Sequence, residues 1–324
     1  MVKNIVAKLK KEKLAGRSGS GFPTWLKWQF VKKEKAEKKF IICNGSEGEP
    51  GTFKDGFILQ NYPNEVIEGI KIALEFLNNS TAYIYLRKDY YKRFGYKLKK
   101  LARNPAINIV KKQGGYLSGE ETAICEAIEG KVALPRPKPP YPTQKGLWGY
   151  PTLVNNVETF YWVAKIAKNE YKNQRFFSIS GDIKNPGVFQ LPEKWTIKKV
   201  LQETKNIPNS DFFVQAGGGA AGEILLPNQL NRQIKGIATI IVFNRKKTDL
   251  FQLMKKWNNF FLRENCDKCT PCREGAFRIG EMLQKKKLDN KTLKDLFFVL
   301  DTTSLCPLGK IMVNPFKSLI ENLL

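Results

Sequence analysis

Cys266, Cys269 and Cys272 stand in the run "CDKCTPC", and Cys306 follows after 33 intervening residues in "SLCPLG". Three thiolates at this spacing can wrap one face of a cubane, and a remote Cys followed by Pro can close the fourth iron, as in ferredoxin-type [4Fe–4S] sites. Four-cysteine zinc is the competing chemistry, although such sites usually come as two C-x2-C pairs. The other two cysteines, Cys43 and Cys125, fall in a strand end and a helix and read as buried thiols. A glycine-rich loop, "GRSGSGFPTW", opens at Gly16. Backbone N–H groups of such loops often hold phosphates. It is not a P-loop, because Phe22-Pro23 occupies the Lys-Ser/Thr position. It is not a dinucleotide fingerprint either, because Thr24 follows Gly19-Ser20-Gly21 where a third Gly belongs.

The sequence contains no histidine, which removes Ser-His-Asp and Cys-His catalysis and His-ligated metal sites. Chemistry must use carboxylates, Lys, Cys, backbone groups or a cofactor. Lys plus Arg number 55 against 30 acidic residues, a net charge of +25. An anionic partner is one reading of that charge. The basic residues are dispersed in runs such as "KKEKAEKK" and "KLKK", which read as solvated faces. The charged N-terminus does not look like a signal peptide, and the apolar run "IATIIVF" is too short to span a bilayer. These features predict a soluble cytoplasmic chain.

The elements that must position these groups follow from periodicity. Ile5, Val6 and Leu9 are spaced as a helix before the glycine loop. "KFIIC" (39–43) reads as a buried strand, "EVIEGIKIALEFL" (65–77) as an amphipathic helix and "TAYIYLR" (81–87) as a strand. A helix over 90–104, a strand within 107–116 and a helix over 120–130 continue the alternation, which implies an α/β domain with parallel strands. "PRPKPPYP" (135–142) must be extended. Near residue 175 the pattern changes. Two strands around "KNPG", a helix from Thr196 and the strands "DFFVQAGG" and "IATIIVF" suit a β-grasp domain, with "QAGGGAAGEIL" as tight turns. From Thr248 the spacing of Leu250, Met254, Trp257 and Phe261, then Ala276, Ile279 and Leu283, then Leu293, Leu296, Phe297 and Leu300, predicts a bundle of three or four helices. The expected domains are 1–175, 176–246 and 247–324.

The ordered motifs "GRSGSGFPTWLKW", "CNGSEGEPGTFKD", "GGYLSGEETAICEAIEGKVALPRPKPPYP", "GLWGYPTLVNNVET", "NPGVF" and "CDKCTPCREG" resemble the NADH-binding flavoprotein of respiratory complex I, its F subunit. They also look like the matching diaphorase subunits of NAD-linked hydrogenases and formate dehydrogenases. The resemblance covers about residues 14 to 316. It implies a Rossmann-like FMN- and NADH-binding domain, a ubiquitin-like β-grasp domain and a C-terminal helical bundle with a [4Fe–4S] cluster. It implies a glycine loop of Gly16, Arg17, Ser18 and Gly19 over the nucleotides, Phe22 and Phe30 against the NADH adenine, and Lys27 beside the phosphates. Asn44, Tyr116, Gly119, Glu120, Asn155, Asn156 and Thr159 match FMN-contact positions, with Ser46 and Glu47 beside them. Glu49, Glu121 and Lys138 match positions near NADH. The cluster ligands implied are Cys266, Cys269, Cys272 and Cys306.

Hydride passes from NADH to FMN, and single electrons go to the cluster and on to a partner subunit, in the function so implied. The chain is short beside some relatives, so the implied partners are separate polypeptides. One is a thioredoxin-like [2Fe–2S] protein, similar to the E component of complex I. The other is a larger iron–sulfur protein, similar to the G component or to the catalytic subunit of a hydrogenase or formate dehydrogenase. No nucleic acid and no direct membrane insertion are implied, and any membrane contact would be peripheral, through those partners. Two departures stand out. Gly45-Ser46 replaces the family's Ala-Asp, and Trp25 replaces a Gly, with Ser18 replacing another inside the loop. They predict an altered flavin environment and crowding of the dinucleotide, and leave open a subunit that keeps the redox groups but binds NADH weakly.

Overall fold

A computed structural model describes residues 4–324. The chain divides into two compact units. One holds the residues up to Gly48 together with Phe53–Phe176, and the other holds Glu49–Thr52 with Phe177–Leu324.

The first unit is built on four parallel strands: β1 (Lys39–Gly45), β2 (Ser80–Leu86), β3 (Ile107–Lys111) and β4 (Thr152–Asn156). Their order is β3-β2-β1-β4. This is a Rossmann-like sheet whose strand order reverses between β1 and β4. Six of the seven residues of β1 and all five of β4 are buried, as strands covered on both faces require. The helices are α1 (Ile5–Lys11), α2 (Thr24–Lys33), α3 (Lys54–Asn61), α4 (Pro63–Leu77), α5 (Lys88–Ala102), α6 (Glu121–Ile128), the single turn α7 (Pro142–Lys145) and α8 (Val157–Ala167). Pro63 starts α4, where its missing N–H is no loss. α4 buries Val66, Ile67, Ile70 and Ala73, and α8 is buried along nearly its whole length. Cys43 in β1 and Cys125 in α6 are buried free thiols.

The second unit contains a mixed sheet: β5 (Gln174–Gly181, whose last five residues lie in this unit), β6 (Gly187–Pro192), β7 (Phe212–Ala216), β8 (Glu223–Leu225) and β9 (Thr239–Asn244), ordered β6-β5-β9-β7-β8. β5 and β9 are parallel, and β7 is antiparallel to β8 and β9. α9 (Ile197–Glu203) packs Ile197, Val200 and Leu201 on this sheet and is capped by Thr196, whose Oγ1 accepts from Lys199 N at 3.2 Å. The rest is helical: α10 (Leu250–Glu264), α11 (Thr270–Gln284), α12 (Asn290–Thr303), α13 (Pro307–Ile311) and α14 (Val313–Leu323). The expected inward faces are largely met. Met254, Trp257, Phe261, Ala276, Ile279, Leu283, Leu293, Phe297 and Leu300 are buried, whereas Leu250 and Leu296 are half-buried.

Two elements differ from expectation. "EIL" (223–225) is a strand, not a turn, because it pairs with β7 from Leu225↔Val214 to Glu223↔Ala216. The helical region holds five helices rather than three or four, since Pro307 restarts a short helix after Cys306. Among the described residues, no helix is long and apolar enough to cross a membrane.

Candidate functional site

In parallel α/β sheets, ligands bind beyond the carboxyl ends of the strands where strand order reverses. Here that point lies between the ends of β1 and β4, which carry Asn44 and the pair Asn155-Asn156.

The three asparagines are not equivalent. Asn156 Oδ1 accepts from Lys54 Nζ at 3.0 Å and from Glu158 N at 3.1 Å, and its Nδ2 donates to Asn44 O at 3.1 Å and Asp55 Oδ2 at 2.6 Å. An amide side chain has two donor hydrogens and two lone pairs, so Asn156 is saturated by protein. Asn155 accepts from Trp28 Nε1 at 3.0 Å, and its Nδ2 has no partner among the described residues. Asn44 accepts from Ser46 N at 3.1 Å and Ser46 Oγ at 2.7 Å, and donates to Gly119 O at 2.9 Å. Ser46 therefore fixes the Asn44 amide, a role a carboxylate could not fill through its side chain because it has no proton to donate.

Sequence reading missed the charged cluster beneath these residues. Lys54 is buried with Asp55 at 2.5 Å and Glu158 at 3.2 Å. Burial pulls the Lys54 ammonium down, but Asp55, Glu158 and Glu47 outweigh it and hold it above the usual lysine range. Burial raises the Glu158 carboxyl, yet Lys54, Arg17 and Arg175 overcome it and keep it below its ordinary value. Glu47 accepts from Asp55 N at 3.0 Å, Gly56 N at 3.3 Å and Tyr90 OH at 2.6 Å, at the N-terminus of α3. Burial first, then the Asp55 charge, push its carboxyl up to about 7. "FKD" gave no signal, because periodicity does not report a buried ion cluster.

The glycine loop is pinched at its neck. Gly16 N donates to Phe22 O at 2.9 Å, and Ala15 bridges Pro23. Gly19 and Gly21 have φ of +103° and +60°, which favours glycine there. Ser18 is exposed near the tip. Arg17 N donates to Thr159 Oγ1 at 3.2 Å, tying the loop to α8, but the Arg17 side chain is buried and donates to Tyr171 OH at 2.9 Å. Only its backbone belongs to the loop surface. Phe22 and Phe30 are 37% and 41% exposed, with centroids 6.3 Å apart and planes tilted by 46°. A planar base between two rings needs about 7 Å, twice the carbon contact distance, and near-parallel planes, so admitting one would take both an opening of this pair and rotation of the rings toward parallel.

Glu120 caps α6 through Thr122 N at 2.8 Å and Ala123 N at 3.1 Å, and pairs with Lys138 at 2.7 Å. Glu121 lies between two cations, Lys27 at 3.3 Å and Lys138 at 2.9 Å. Burial raises its carboxyl, but Lys27 and Lys138 prevail and hold it below the usual range. Tyr116 begins the 3-10 turn ending at Gly119 and lies against Gly48. Trp25, expected to crowd the site, has its ring under Lys10 Nζ of α1, 4.9 Å from the centroid. Glu49 belongs to the second unit. Its carboxylate accepts from Ala220 N at 2.8 Å and Ala221 N at 3.0 Å, so the loop read as plain turns forms a backbone cradle for it.

In the helical region, Cys269 and Cys306 precede α11 and α13 as N-caps, Cys272 lies in the first turn of α11, and Cys266 is in the preceding loop. Burial and then the charges of Cys269, Cys306 and Cys266 push the Cys272 thiol up to about 12, so the four thiols share one electrostatic neighbourhood. Among the described residues, no three acidic, Cys or His side chains close up around a single metal ion.

The chain matches the Nuo51 FMN-binding domain over residues 9–165 and the NADH-ubiquinone oxidoreductase-F iron-sulfur binding region over residues 252–323. It is similar to the F subunit of NADH-quinone oxidoreductase from Buchnera aphidicola subsp. Schizaphis graminum, 34% identical over 98% of this chain and 82% of the relative, and to that from Aquifex aeolicus, 33% identical over 98% and 83%. It is also similar to NADP-reducing hydrogenase subunit HndC of Solidesulfovibrio fructosivorans, 30% identical over 98% and 74%. A crystal structure of NAD+-reducing [NiFe]-hydrogenase in the H2-reduced state superposes with a TM-score of 0.92 at 31% identity, covering 99% of this chain. This chain spans 61% of that one. The parallel sheet with its polar switch point and the four-cysteine helical region define a flavin- and iron–sulfur-dependent redox subunit. The chain belongs to the family of NADH-quinone oxidoreductase F subunits.

The residues present fit the two groups. Thr24 Oγ1, at the start of α2 beside the glycine loop, is buried without a hydrogen-bond partner, and Asn155 Nδ2 is an unengaged donor at the strand ends. Four thiols suit an iron–sulfur cluster rather than a hard cation.

Proposed function

We propose that this chain is an NADH-oxidising, electron-input subunit whose flavin lies at the carboxyl ends of β1 and β4. The observation that carries the reading is the strand-order reversal between Asn44 and Asn155-Asn156, with the glycine-loop neck tied to the same region through Thr159. Bound FMN supplies hydride acceptance from NADH and release of single electrons, and the [4Fe–4S] cluster relays them.

The side chains bind and orient. Asn155 Nδ2 and the Asn44 amide, fixed by Ser46, present hydrogen-bonding groups to the flavin, with Tyr116 and Gly119 alongside. Asn156 positions the β1 end rather than touching ligand, and Lys54, Asp55 and Glu47 hold it from beneath. The backbone of Gly16 to Gly19 faces the phosphates. Phe22 and Phe30 take the adenine, Lys27 and Lys138 hold Glu121 toward the dinucleotide, and Glu120, paired with Lys138, stays on the flavin side. Glu49, whose position matches the dinucleotide side of the family motif, has one carboxylate oxygen engaged by the Ala220 and Ala221 amides. No protein acid or base is required, in keeping with a sequence without histidine.

The finer architecture is read as three domains, 1–175, 176–246 and 247–324. The strand order β6-β5-β9-β7-β8 with α9 after the first hairpin supports β-grasp topology for the middle one. Cys266, Cys269, Cys272 and Cys306 are the cluster ligands. The partners are a [2Fe–2S] protein and a larger iron–sulfur protein that takes the electrons, and the assembly is cytoplasmic or peripheral to a membrane. Homologues named for NADH-quinone oxidoreductase and for a hydrogenase support a multi-subunit setting.

Anaerobic titration of the FMN- and iron-reconstituted chain with NADH tests the reading. Stoichiometric bleaching of flavin absorbance, followed by the reduced-cluster signal, is expected. A bound flavin unmoved by NADH but reduced by dithionite would sink it.

A further inference from the structure

The run Thr302-Thr303-Ser304 ends α12 just before Cys306. Its first two hydroxyls fold back on the helix, Thr302 Oγ1 donating to Phe298 O at 2.6 Å and Thr303 Oγ1 to Val299 O at 2.7 Å. Ser304 stands one residue beyond the helix and does neither. Its side chain is 6% exposed, and its Oγ has no hydrogen-bond partner. Buried hydroxyls without partners are rare, so this one needs an acceptor.

The acceptor is indicated by what surrounds the hydroxyl. A Cβ added to Gly309 would run into Ser304 Oγ and would lie 3.3 Å from Cys272 Cβ. Ser304 and Cys272 therefore flank the same buried glycine, and Cys272 is one of the four cysteines read as holding the cluster. Gly309 has no side chain to separate them.

We propose that Ser304 Oγ donates a hydrogen bond to a sulfur of the [4Fe–4S] cluster and raises the cluster's reduction potential. The inference rests on the reading that these four cysteines hold that cluster. The sulfurs gain electron density when the cluster accepts one electron, so a hydrogen bond to them stabilises the reduced form more than the oxidised form. The electron comes from the reduced flavin, and no proton changes hands. Ser304 is thus a tuning residue and not a ligand.

The test is an EPR-monitored redox titration of the reconstituted chain, with iron content measured in parallel. Ser304→Ala is expected to load the same iron as the wild type and to show a lower midpoint potential. Ser304→Thr, which keeps the hydroxyl, is expected to return toward the wild-type potential. An unchanged potential in Ser304→Ala, or equal shifts in the Ala and Thr variants, would overturn the inference. So would failure of Ser304→Ala to retain iron while Ser304→Thr retains it, since the hydroxyl would then serve assembly. A wild-type chain that takes up zinc but forms no cubane would instead overturn the cluster reading itself.

Discussion

Asn156 Nδ2 donates to the carbonyl of Asn44 over 3.1 Å, joining the carboxyl ends of β1 and β4 at the point where strand order reverses. Because the remaining capacity of Asn156 is taken by Lys54, Asp55 and the N-terminus of α8, adjacent asparagines are expected to behave differently. Asn155→Ala should weaken FMN binding by about two- to tenfold, the worth of one hydrogen bond, with little change in the melting temperature of the flavin-free chain. Asn156→Ala should lower that melting temperature as well. Flavin fluorescence quenching and thermal melts distinguish the two. Wild-type affinity in Asn155→Ala would remove Asn155 from the flavin site.

Lys54 lies among Asp55, Glu158 and Asn156. Removing one partner from a buried charge cluster leaves the others uncompensated. Lys54→Met is therefore expected to destabilise the chain by about 3–5 kcal/mol in denaturant melts. The charge-balanced Lys54→Met/Asp55→Asn should recover part of that loss. If Lys54→Met alone unfolds at the wild-type midpoint, the cluster contributes no net stability.

The scaffold was legible in the sequence where periodicity was strong. "KFIIC" and "EVIEGIKIALEFL" became β1 and α4 within two residues, because a doubly covered strand and an amphipathic helix each carry an unambiguous period. "TLVNN" and the helix after it were not legible: five buried residues ending in two asparagines look like a loop, and α8 is buried nearly all round and so lacks a contrasting polar face. The site was legible as a set of motifs, not as an arrangement. Residue type alone could not reveal that Asn156 is saturated, that the Arg17 side chain turns inward or that Trp25 lies under Lys10. Each depends on which neighbour the fold supplies.

Glu47 makes stability depend on pH. Its carboxyl is raised by burial and by Asp55 from 4.5 to about 7, so the folded state holds its proton where the unfolded state has lost it. The contribution is fully present below pH 4.5 and is lost as pH rises toward 7. Burial pushes the Asp55 carboxyl in the same direction. Urea melts should therefore show the Glu47 contribution falling between about pH 4.5 and 7, and Glu47→Gln should flatten that slope. An identical slope in Glu47→Gln would exclude Glu47 as its source.

Trp25 and Phe30 share α2 but face different surroundings. Trp25 packs under Lys10 on α1, whereas Phe30 is 41% exposed beside Phe22. If Trp25 crowded the dinucleotide, Trp25→Gly would improve NADH binding. The structure predicts that it will not: glycine inside a helix costs about 1 kcal/mol, so the chain should lose stability while its KM for NADH stays near wild type. Phe30→Ala should have the opposite signature. Its stability should barely change, and its KM for NADH should rise about two- to tenfold with kcat nearly constant, because adenine stacking is worth about 0.5–1.5 kcal/mol and is felt equally in the ground and transition states. Steady-state kinetics with a soluble electron acceptor, paired with melts of both variants, measure the contrast. A lowered KM in Trp25→Gly would place that ring against the nucleotide after all.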